Sequence, residues 1–75
     1  MEQANAEKAL GTKAFQAKDF PTAITHFTNA IGHNPNDHTL YGNRSACYYN
    51  SGEYPKAADD AENAIKIKPD WARGW

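Results

Sequence analysis

Gly11–Pro35 reads GTKAFQAKDFPTAITHFTNAIGHNP, and much of this stretch returns 34 residues later, in Ser45–Pro69, as SACYYNSGEYPKAADDAENAIKIKP. At this offset, six positions keep the same residue: Pro21 and Pro55, Ala23 and Ala57, Asn29 and Asn63, Ala30 and Ala64, Ile31 and Ile65, Pro35 and Pro69. Aromatic residues also return as aromatic residues, as Phe15 does in Tyr49. A fixed period of this length predicts tandem copies of one structural unit.

Hydrophobic spacing predicts that each unit is helical. The apolar residues of the first unit recur three and four positions apart, which is typical of a helix with one buried face: Ala23, Ile24, Phe27, Ala30 and Ile31. An earlier apolar stripe is formed by Leu10, Ala14 and Ala17. We therefore predict an all-α fold with four helices, from about Gln3 to Ala17, Phe20 to Ile31, Asp37 to Asn50 and Tyr54 to Ile67. A further helix is expected to begin within Asp70–Trp75.

The connections between the helices carry their own signals. Asp19 precedes Pro21, so we expect the Asp19 carboxylate to accept an amide N–H of the next helix. Gly52 suits the left-handed end of a helix, whereas Lys18 at the equivalent position is expected to be strained. Gly11 costs about 1 kcal/mol relative to Ala inside a helix. We therefore expect another backbone to lie close to it.

Composition excludes several functional classes. The 75 residues carry a net charge of -1, so no basic field is present to attract nucleic acid or an anionic membrane. No apolar run is long enough to cross a bilayer, and the N-terminus lacks the pattern of a signal peptide. The single cysteine, Cys47, cannot form an internal disulfide. A cytoplasmic location is the expectation.

Catalytic and metal-binding patterns are weak. His26, His33 and His38 do not have the spacing of a helical metal-binding pair, so no metal site or other cofactor is predicted. We interpret Cys47 as a small packed thiol. The acidic residues of the last helix are interpreted as a solvated face: Asp59, Asp60 and Glu62. The sequence shows neither a Gly-rich phosphate loop nor a Ser-His-Asp order, so we do not expect an enzyme.

The repeated positions resemble the tetratricopeptide repeat (TPR) family. Its signature sites correspond to Leu10, Gly11, Ala14, Ala23, Phe27, Ala30 and Pro35, and then to Tyr41, Ser45, Tyr48, Ala57, Ala61, Ala64 and Pro69. The chain departs from the family pattern at Glu7, Ala14 and Ala61, where the family has aromatic residues. The resemblance implies a single TPR domain fragment over residues 1–75, an antiparallel helix-turn-helix solenoid. Repeat one covers about residues 4–37, repeat two about 38–71, and a third repeat starts at 72–75.

In such a stack, the first helix of each hairpin lines a concave groove. The residues predicted to face it are Asn5, Lys8, Thr12 and Phe15, followed by Thr39, Asn43, Ala46 and Asn50. Arg73 adds a second cation to the rim. Two cations and an amide favour a carboxylate ligand, because charge-assisted hydrogen bonds are the stronger ones.

The same residues resemble the dicarboxylate clamp of TPR co-chaperones, which holds a peptide tail ending in Glu-Glu-Val-Asp. Lys8, Asn43 and Arg73 match clamp positions, whereas Thr12 stands where the family has Asn, and the last clamp Arg would lie beyond Trp75. A shallow peptide groove would be formed by Ala46, Asn50, Tyr49 and Phe15. For Phe15 and Tyr49, the alternative is packing between neighbouring first helices.

Two segments, Leu40–Tyr48 and Ile67–Gly74, are similar to the first TPR domain of the stress-inducible, heat-shock-protein-organising co-chaperones. The resemblance implies binding to the C-terminal tail of a seventy- or ninety-kilodalton heat-shock chaperone. An alternative is structural self-assembly, as a dimer or superhelical stack, through the unfinished third repeat. The apolar surface expected to be left without a neighbour is that of Ala61, Ile65, Ile67 and Trp75.

Overall fold

The chain folds into two antiparallel helical hairpins. In this computed structural model, residues 2–68 are described, with side chains from residue 5 onward. The four helices are α1 (Glu2–Gln16), α2 (Phe20–His33), α3 (His38–Asn50) and α4 (Tyr54–Ile67), with no strand among the described residues. α1 packs on α2, α3 packs on α4, and α3 also packs on α2. The predicted helix start within Asp70–Trp75 lies outside the described residues.

Helix ends agree with the prediction at α4 and differ at α2. Residues Tyr54–Ile67 form α4 as predicted. α2 continues to His33, two residues past the predicted end at Ile31. The helix stops because Pro35 excludes helical geometry at the residue before it. Asn34 has left the helix, with φ -141 and ψ 77.

Both hairpin turns use the same hydrogen-bond pattern at the end of the first helix. In the first turn, Asp19 N–H donates to the Ala14 carbonyl at 2.9 Å. In the second, Glu53 N–H donates to the Tyr48 carbonyl at 2.8 Å. The residue before each donor is left-handed, with φ 62 at Lys18 and φ 87 at Gly52. This is the Schellman arrangement, and the predicted strain at Lys18 is confirmed because its side chain disfavours positive φ.

Whether an N-cap side chain forms its hydrogen bond depends here on the residue at the second position of the helix. Asp19 occupies the N-cap of α2, but its side chain makes no capping hydrogen bond, so that prediction is wrong. Pro21 is the second residue of α2 and has no N–H to offer, which removes one of the usual donors. Asp37 caps α3 instead, where Thr39 N–H donates to Asp37 Oδ1 at 3.0 Å.

The core lies at the junction of α2 with α3. Its buried members come from both helices: Ala23, Phe27, Ala30, Leu40 and Cys47. Ile24 and Ile31 are half-buried against them, as the spacing in α2 predicts. Burial raises the pKa of the Cys47 thiol to about 11, which agrees with a packed rather than a reactive cysteine.

Gly11 is buried at the contact between α1 and α2. The neighbour is the ring of Phe27, because a Cβ at Gly11 would lie 2.8 Å from Phe27 Cε1. The expected close approach is therefore confirmed, and the nearest atoms belong to a side chain of α2. The predicted stripe of α1 is also partly wrong. Leu10 is 48% exposed and Ala17 is exposed, because Gly11 and Ala14 form the side of α1 that faces α2.

A buried ion pair joins α3 to α4 within the second hairpin, and its arginine also reaches α2 of the first. Arg44 Nε and Nη2 donate to Asp60 Oδ2 and Oδ1 at 2.7 and 2.8 Å, and Arg44 Nη1 donates to Thr28 Oγ1 at 3.1 Å. The Asp60 hydrogen bond raises the pKa of Arg44 above its usual value, with the charge of Asp60 adding to the effect against desolvation. Asp60 is only 3% exposed, so its interpretation as part of a solvated face is wrong. Asp59 and Glu62 are exposed, as predicted.

Candidate functional site

The first helices of the two hairpins meet in a defined register. Lys8 Nζ of α1 donates to Thr39 Oγ1 of α3 at 3.1 Å. One helical turn further along each helix, Thr12 and Asn43 line the same small cavity. Lys8 and Asn43 therefore lie on one side of the molecule, as the sequence predicts. The exposed Asn5 lies in α1, one turn before Lys8.

The small cavity lies between the two helices at their crossing. It has a volume of about 70 Å³ and is lined by Thr12, Phe15, Phe27, Asn43 and Ala46. The structure thus brings together four of the predicted site and groove residues with one residue of the core. The cavity is far smaller than typical ligand pockets of roughly 300 Å³ or more. The cavity is therefore too small to enclose a ligand of ordinary size.

Two predicted binding residues make hydrogen bonds within their own helices. Thr12 Oγ1 donates to the Lys8 carbonyl at 3.0 Å, and Asn50 Nδ2 donates to the Ala46 carbonyl at 2.7 Å. A threonine hydroxyl has one proton, so Thr12 must rotate away from Lys8 before it donates to a ligand. The assignment of Thr12 to a carboxylate ligand stays a prediction.

Asp37 gives the site a fixed negative group next to Lys8. Thr39 donates to Asp37 Oδ1 twice, from its hydroxyl at 2.6 Å and from its amide at 3.0 Å. Burial acts to raise the pKa of Asp37, but the two Thr39 hydrogen bonds and the charge of Lys8 bring it below its usual value. The carboxylate is therefore ionised near neutral pH and remains a hydrogen-bond acceptor.

The predicted aromatic groove residues pack within their own hairpins. The rings of Phe15 and Phe20 meet edge to face at 5.5 Å, and those of Tyr49 and Tyr54 at 5.2 Å. Each pair joins the end of the first helix to the start of the second. Phe15 is half-buried, whereas Tyr49 is 63% exposed. The partner of each ring is thus the first residue of the following helix.

A larger apolar cavity lies on the outer face of the second hairpin, where the sequence predicts unpartnered apolar surface at Ala61 and groove residues at Ala46, Tyr49 and Asn50. It measures about 670 Å³ and is lined by residues of α3 and α4: Gly42, Ser45, Ala46, Tyr49, Asn50, Tyr54, Ala57, Ala58 and Ala61. The signal was present in the repeat alignment. Ala58 and Ala61 occupy the positions that hold Ile24 and Phe27 in the first hairpin, so the large side chains that fill that position are missing. We name this surface the end face.

Other predicted features lie elsewhere or outside the described residues. Arg73 and Trp75 belong to the part of the chain that is not described. His26 Nδ1 lies 2.8 Å from Glu7 Oε2 in the first hairpin. Within the described side chains, no cluster of three or more His, Cys, Asp or Glu residues is placed to hold a metal ion. None of the described helices has the length and apolar character that crossing a membrane requires.

Comparison with known proteins gives consistent similarities. A family profile described as "Serine/threonine-protein kinase BSK1-like, TPR repeats" matches residues 1–75. The chain is 52% identical over 68 residues to the heat shock protein sti1 homolog of Schizosaccharomyces pombe, covering 91% of the chain and 12% of that protein. It is 42% identical over 71 residues to Hsp70-Hsp90 organizing protein 2 of Arabidopsis thaliana, covering 95% of the chain and 12% of that protein. It thus spans about an eighth of the length of these curated relatives.

The fold also matches a solved structure. The TPR2B domain of yeast Sti1, in its complex with pHsp70, superposes with a TM-score of 0.93 at 29% sequence identity. The match covers 97% of this chain and 58% of that chain. Both comparisons therefore point to the same kind of helical repeat, and the described helices have its hairpin order.

Proposed function

Because the chain belongs to the tetratricopeptide repeat family, we propose that it is a protein-interaction module of a co-chaperone. Its ligand is the acidic C-terminal tail of a seventy- or ninety-kilodalton heat-shock chaperone. The tail lies across α1 and α3, and Lys8, Thr12 and Asn43 receive its terminal carboxylate, with Arg73 as the further partner. We place this activity in the cytoplasm and in the stress response.

The observation that carries the proposal is the register of α1 against α3. Lys8 contacts Thr39, and Thr12 shares a cavity with Asn43. An ammonium group, a hydroxyl and an amide thus lie on one surface within two helical turns. A carboxylate is the ligand that fits the ammonium and the amide, since a charged acceptor gains most from an ammonium partner, and the Thr12 hydroxyl can join them once it rotates away from the Lys8 carbonyl.

The names of the relatives support the choice of partner. Several matched proteins are called Hsp70-Hsp90 organizing proteins, and the matched yeast TPR2B domain was solved in complex with pHsp70. The chain has a net charge of -1, so its attraction for an acidic tail must be local to Lys8 and Arg73. We expect binding that weakens with added salt.

Calorimetric titration with an acidic pentapeptide tests this function. The free-acid peptide should bind, and the same peptide with an amidated C-terminus should bind at least tenfold more weakly, since one charge-assisted hydrogen bond is worth about 1.5 kcal/mol or more. Lys8→Ala and Asn43→Ala should each reduce binding of the free acid. Equal affinity for the two peptides would end the clamp hypothesis.

A second candidate function is self-assembly through the end face. The observation that favours it is the open apolar cavity of about 670 Å³, bordered by Tyr54 at 59% exposure. Ile65 on α4 is also 42% exposed. In this proposal, the chain pairs with a second copy through the end face and the start of the third repeat at 72–75. The two preceding repeats cover about residues 4–37 and 38–71.

Size-exclusion chromatography with light scattering separates the two functions. Self-assembly predicts a dimer at micromolar concentration that Ala58→Asp converts to a monomer. The double variant Lys8→Ala/Asn43→Ala should leave that dimer unchanged. A folded monomer of the wild-type chain at micromolar concentration would contradict self-assembly.

A further inference from the structure

A continuous set of hydrogen bonds runs from the start of α3 to Lys8. Asp37 Oδ1 accepts from the Thr39 hydroxyl at 2.6 Å, and Thr39 Oγ1 accepts from Lys8 Nζ at 3.1 Å. The direction of these bonds is fixed by chemistry. An ammonium group can only donate and an ionised carboxylate can only accept, so the single hydroxyl proton must point to Asp37.

The anchor of this set is rigid. Asp37 is the N-cap of α3, and its Oδ1 also accepts from Thr39 N–H at 3.0 Å. All three residues are half-buried at the junction of α1 with α3. A long, flexible lysine side chain is thereby held by a group that is itself fixed at a helix terminus.

Because the Thr39 hydroxyl lies between Lys8 and Asp37, the Lys8 ammonium keeps hydrogen-bond donors for a ligand. The ammonium has three N–H donors, and Thr39 uses one of them. The link to the carboxylate passes through the hydroxyl, so the remaining donors stay available on the surface of α1 and α3. Lysine carries one of the largest side-chain entropies, and ordering it in the free protein lowers the cost of ordering it on binding.

We propose that Thr39 and Asp37 are positioning residues, which hold the Lys8 ammonium in place to receive the terminal carboxylate of a peptide. This inference rests on the proposed function and adds to it, since neither residue need touch the ligand. It predicts that the Thr39 hydroxyl changes affinity only through Lys8.

The experiment compares the full chain with Thr39→Val, Thr39→Ser and Thr25→Val. Valine removes the hydroxyl but keeps the backbone amide that Asp37 caps, so α3 retains its N-cap bond. Serine keeps the hydroxyl. Thr25 is the matched control, because its exposed hydroxyl donates to the Pro21 carbonyl at 3.1 Å, within α2. Circular dichroism checks that all four proteins have the same helix content.

Two measurements are made. Titration with the free-acid pentapeptide should show about fivefold weaker binding for Thr39→Val, within the range expected when one flexible side chain must be ordered on binding. Thr39→Ser and Thr25→Val should stay within about twofold of wild type. In the free proteins, NMR relaxation at the Lys8 side-chain Cε should show greater mobility in Thr39→Val alone.

The outcomes separate this inference from the proposed function. Equal Lys8 mobility in the wild type and Thr39→Val would overturn the inference. It would also be overturned if Thr39→Ser weakened peptide binding as much as Thr39→Val does. Increased mobility together with fivefold weaker binding would support it. If Thr39→Val mobilises Lys8 but the wild-type chain binds no peptide, the tether is supported and the proposed function is contradicted.

Discussion

Arg44 and Asp60 form a bidentate pair across α3 and α4, with hydrogen bonds of 2.7 and 2.8 Å. The same guanidinium reaches Thr28 of α2 at 3.1 Å. One side chain thus links three helices and both hairpins. The groove surface of α1 and α3 depends on this link, because it fixes α3 against α2 and α4.

The first prediction concerns this pair. Asp60→Ala should lower the free energy of unfolding by about 3 kcal/mol, since it leaves a half-buried guanidinium without its carboxylate. Asp59→Ala is the control, because Asp59 is exposed and should change stability by less than about 0.5 kcal/mol. Urea denaturation measures both. Equal effects of the two substitutions would show that the Arg44 pair contributes little.

The second prediction compares two helical glycines. A Cβ at Gly11 would lie 2.8 Å from the Phe27 ring, whereas a Cβ at Gly32 would have no heavy atom within 4 Å. Gly11→Ala should destabilise the fold by about 1 to 2 kcal/mol, because overpacking exceeds the gain in helix propensity. Gly32→Ala should stabilise it by about 0.5 to 1 kcal/mol. Thermal unfolding of both variants provides the test, and a stabilised Gly11→Ala would contradict the packing.

The third prediction concerns acid. The hydrogen bond with His26 lowers the pKa of Glu7 below its usual 4.5, with Asn29 and the charges of His26 and His33 adding to it against desolvation. As the pH falls, Glu7 is therefore protonated in the unfolded chain at a higher pH than in the folded chain. The stabilisation by the Glu7 carboxylate is complete above about pH 4.5, the pKa in the unfolded chain. It is lost as the pH falls through the lower pKa of Glu7 in the folded chain.

Urea denaturation between pH 3 and pH 7 measures this effect. The difference in stability between the wild type and Glu7→Gln should be greatest near neutral pH and should shrink in acid. His26→Ala should show the same dependence, because it removes the main cause of the shift. A difference that stays constant over this range would contradict the role of the Glu7 pair.

The sequence predicts the helices well because each depends on local periodicity. The spacing of Ala23, Phe27 and Ala30 is visible without any tertiary contact, and these are the residues buried in α2. That Lys8 and Asn43 share one side is predicted instead from the concave groove of stacked hairpins, which the family resemblance implies. The first conclusion requires only the 3.6-residue helical period.

Features that depend on a partner from another helix were missed. Asp60 looks like one more acid among Asp59 and Glu62, and only its position opposite Arg44 explains its burial. Leu10 looks like a core residue, but its equivalent in the second hairpin, Arg44, is the residue that contacts Thr28 of the preceding helix. In α1, Gly11 and Ala14 form the side that faces α2, so Leu10 is exposed.

The fourth prediction concerns Thr12, the position at which the chain departs from the co-chaperone clamp. Its hydroxyl donates to the Lys8 carbonyl, so it offers a ligand no proton in this conformation. Thr12→Asn should tighten binding of the free-acid peptide by about tenfold, because the amide adds one hydrogen bond to a charged group. Thr25→Asn on α2 is the matched control and should have no effect. Unchanged or weaker binding by Thr12→Asn would exclude this position from the site.

The most direct test of the central claim is an NMR titration of the isotope-labelled chain with the acidic pentapeptide, as free acid and as C-terminal amide. We predict that the free acid shifts the signals of Lys8, Thr12, Thr39 and Asn43, and that the amide produces these shifts only at much higher concentration. The same shifts with both peptides, or shifts centred on Ala57 and Ala61 of the end face, would contradict the proposal that α1 and α3 bind a carboxylate.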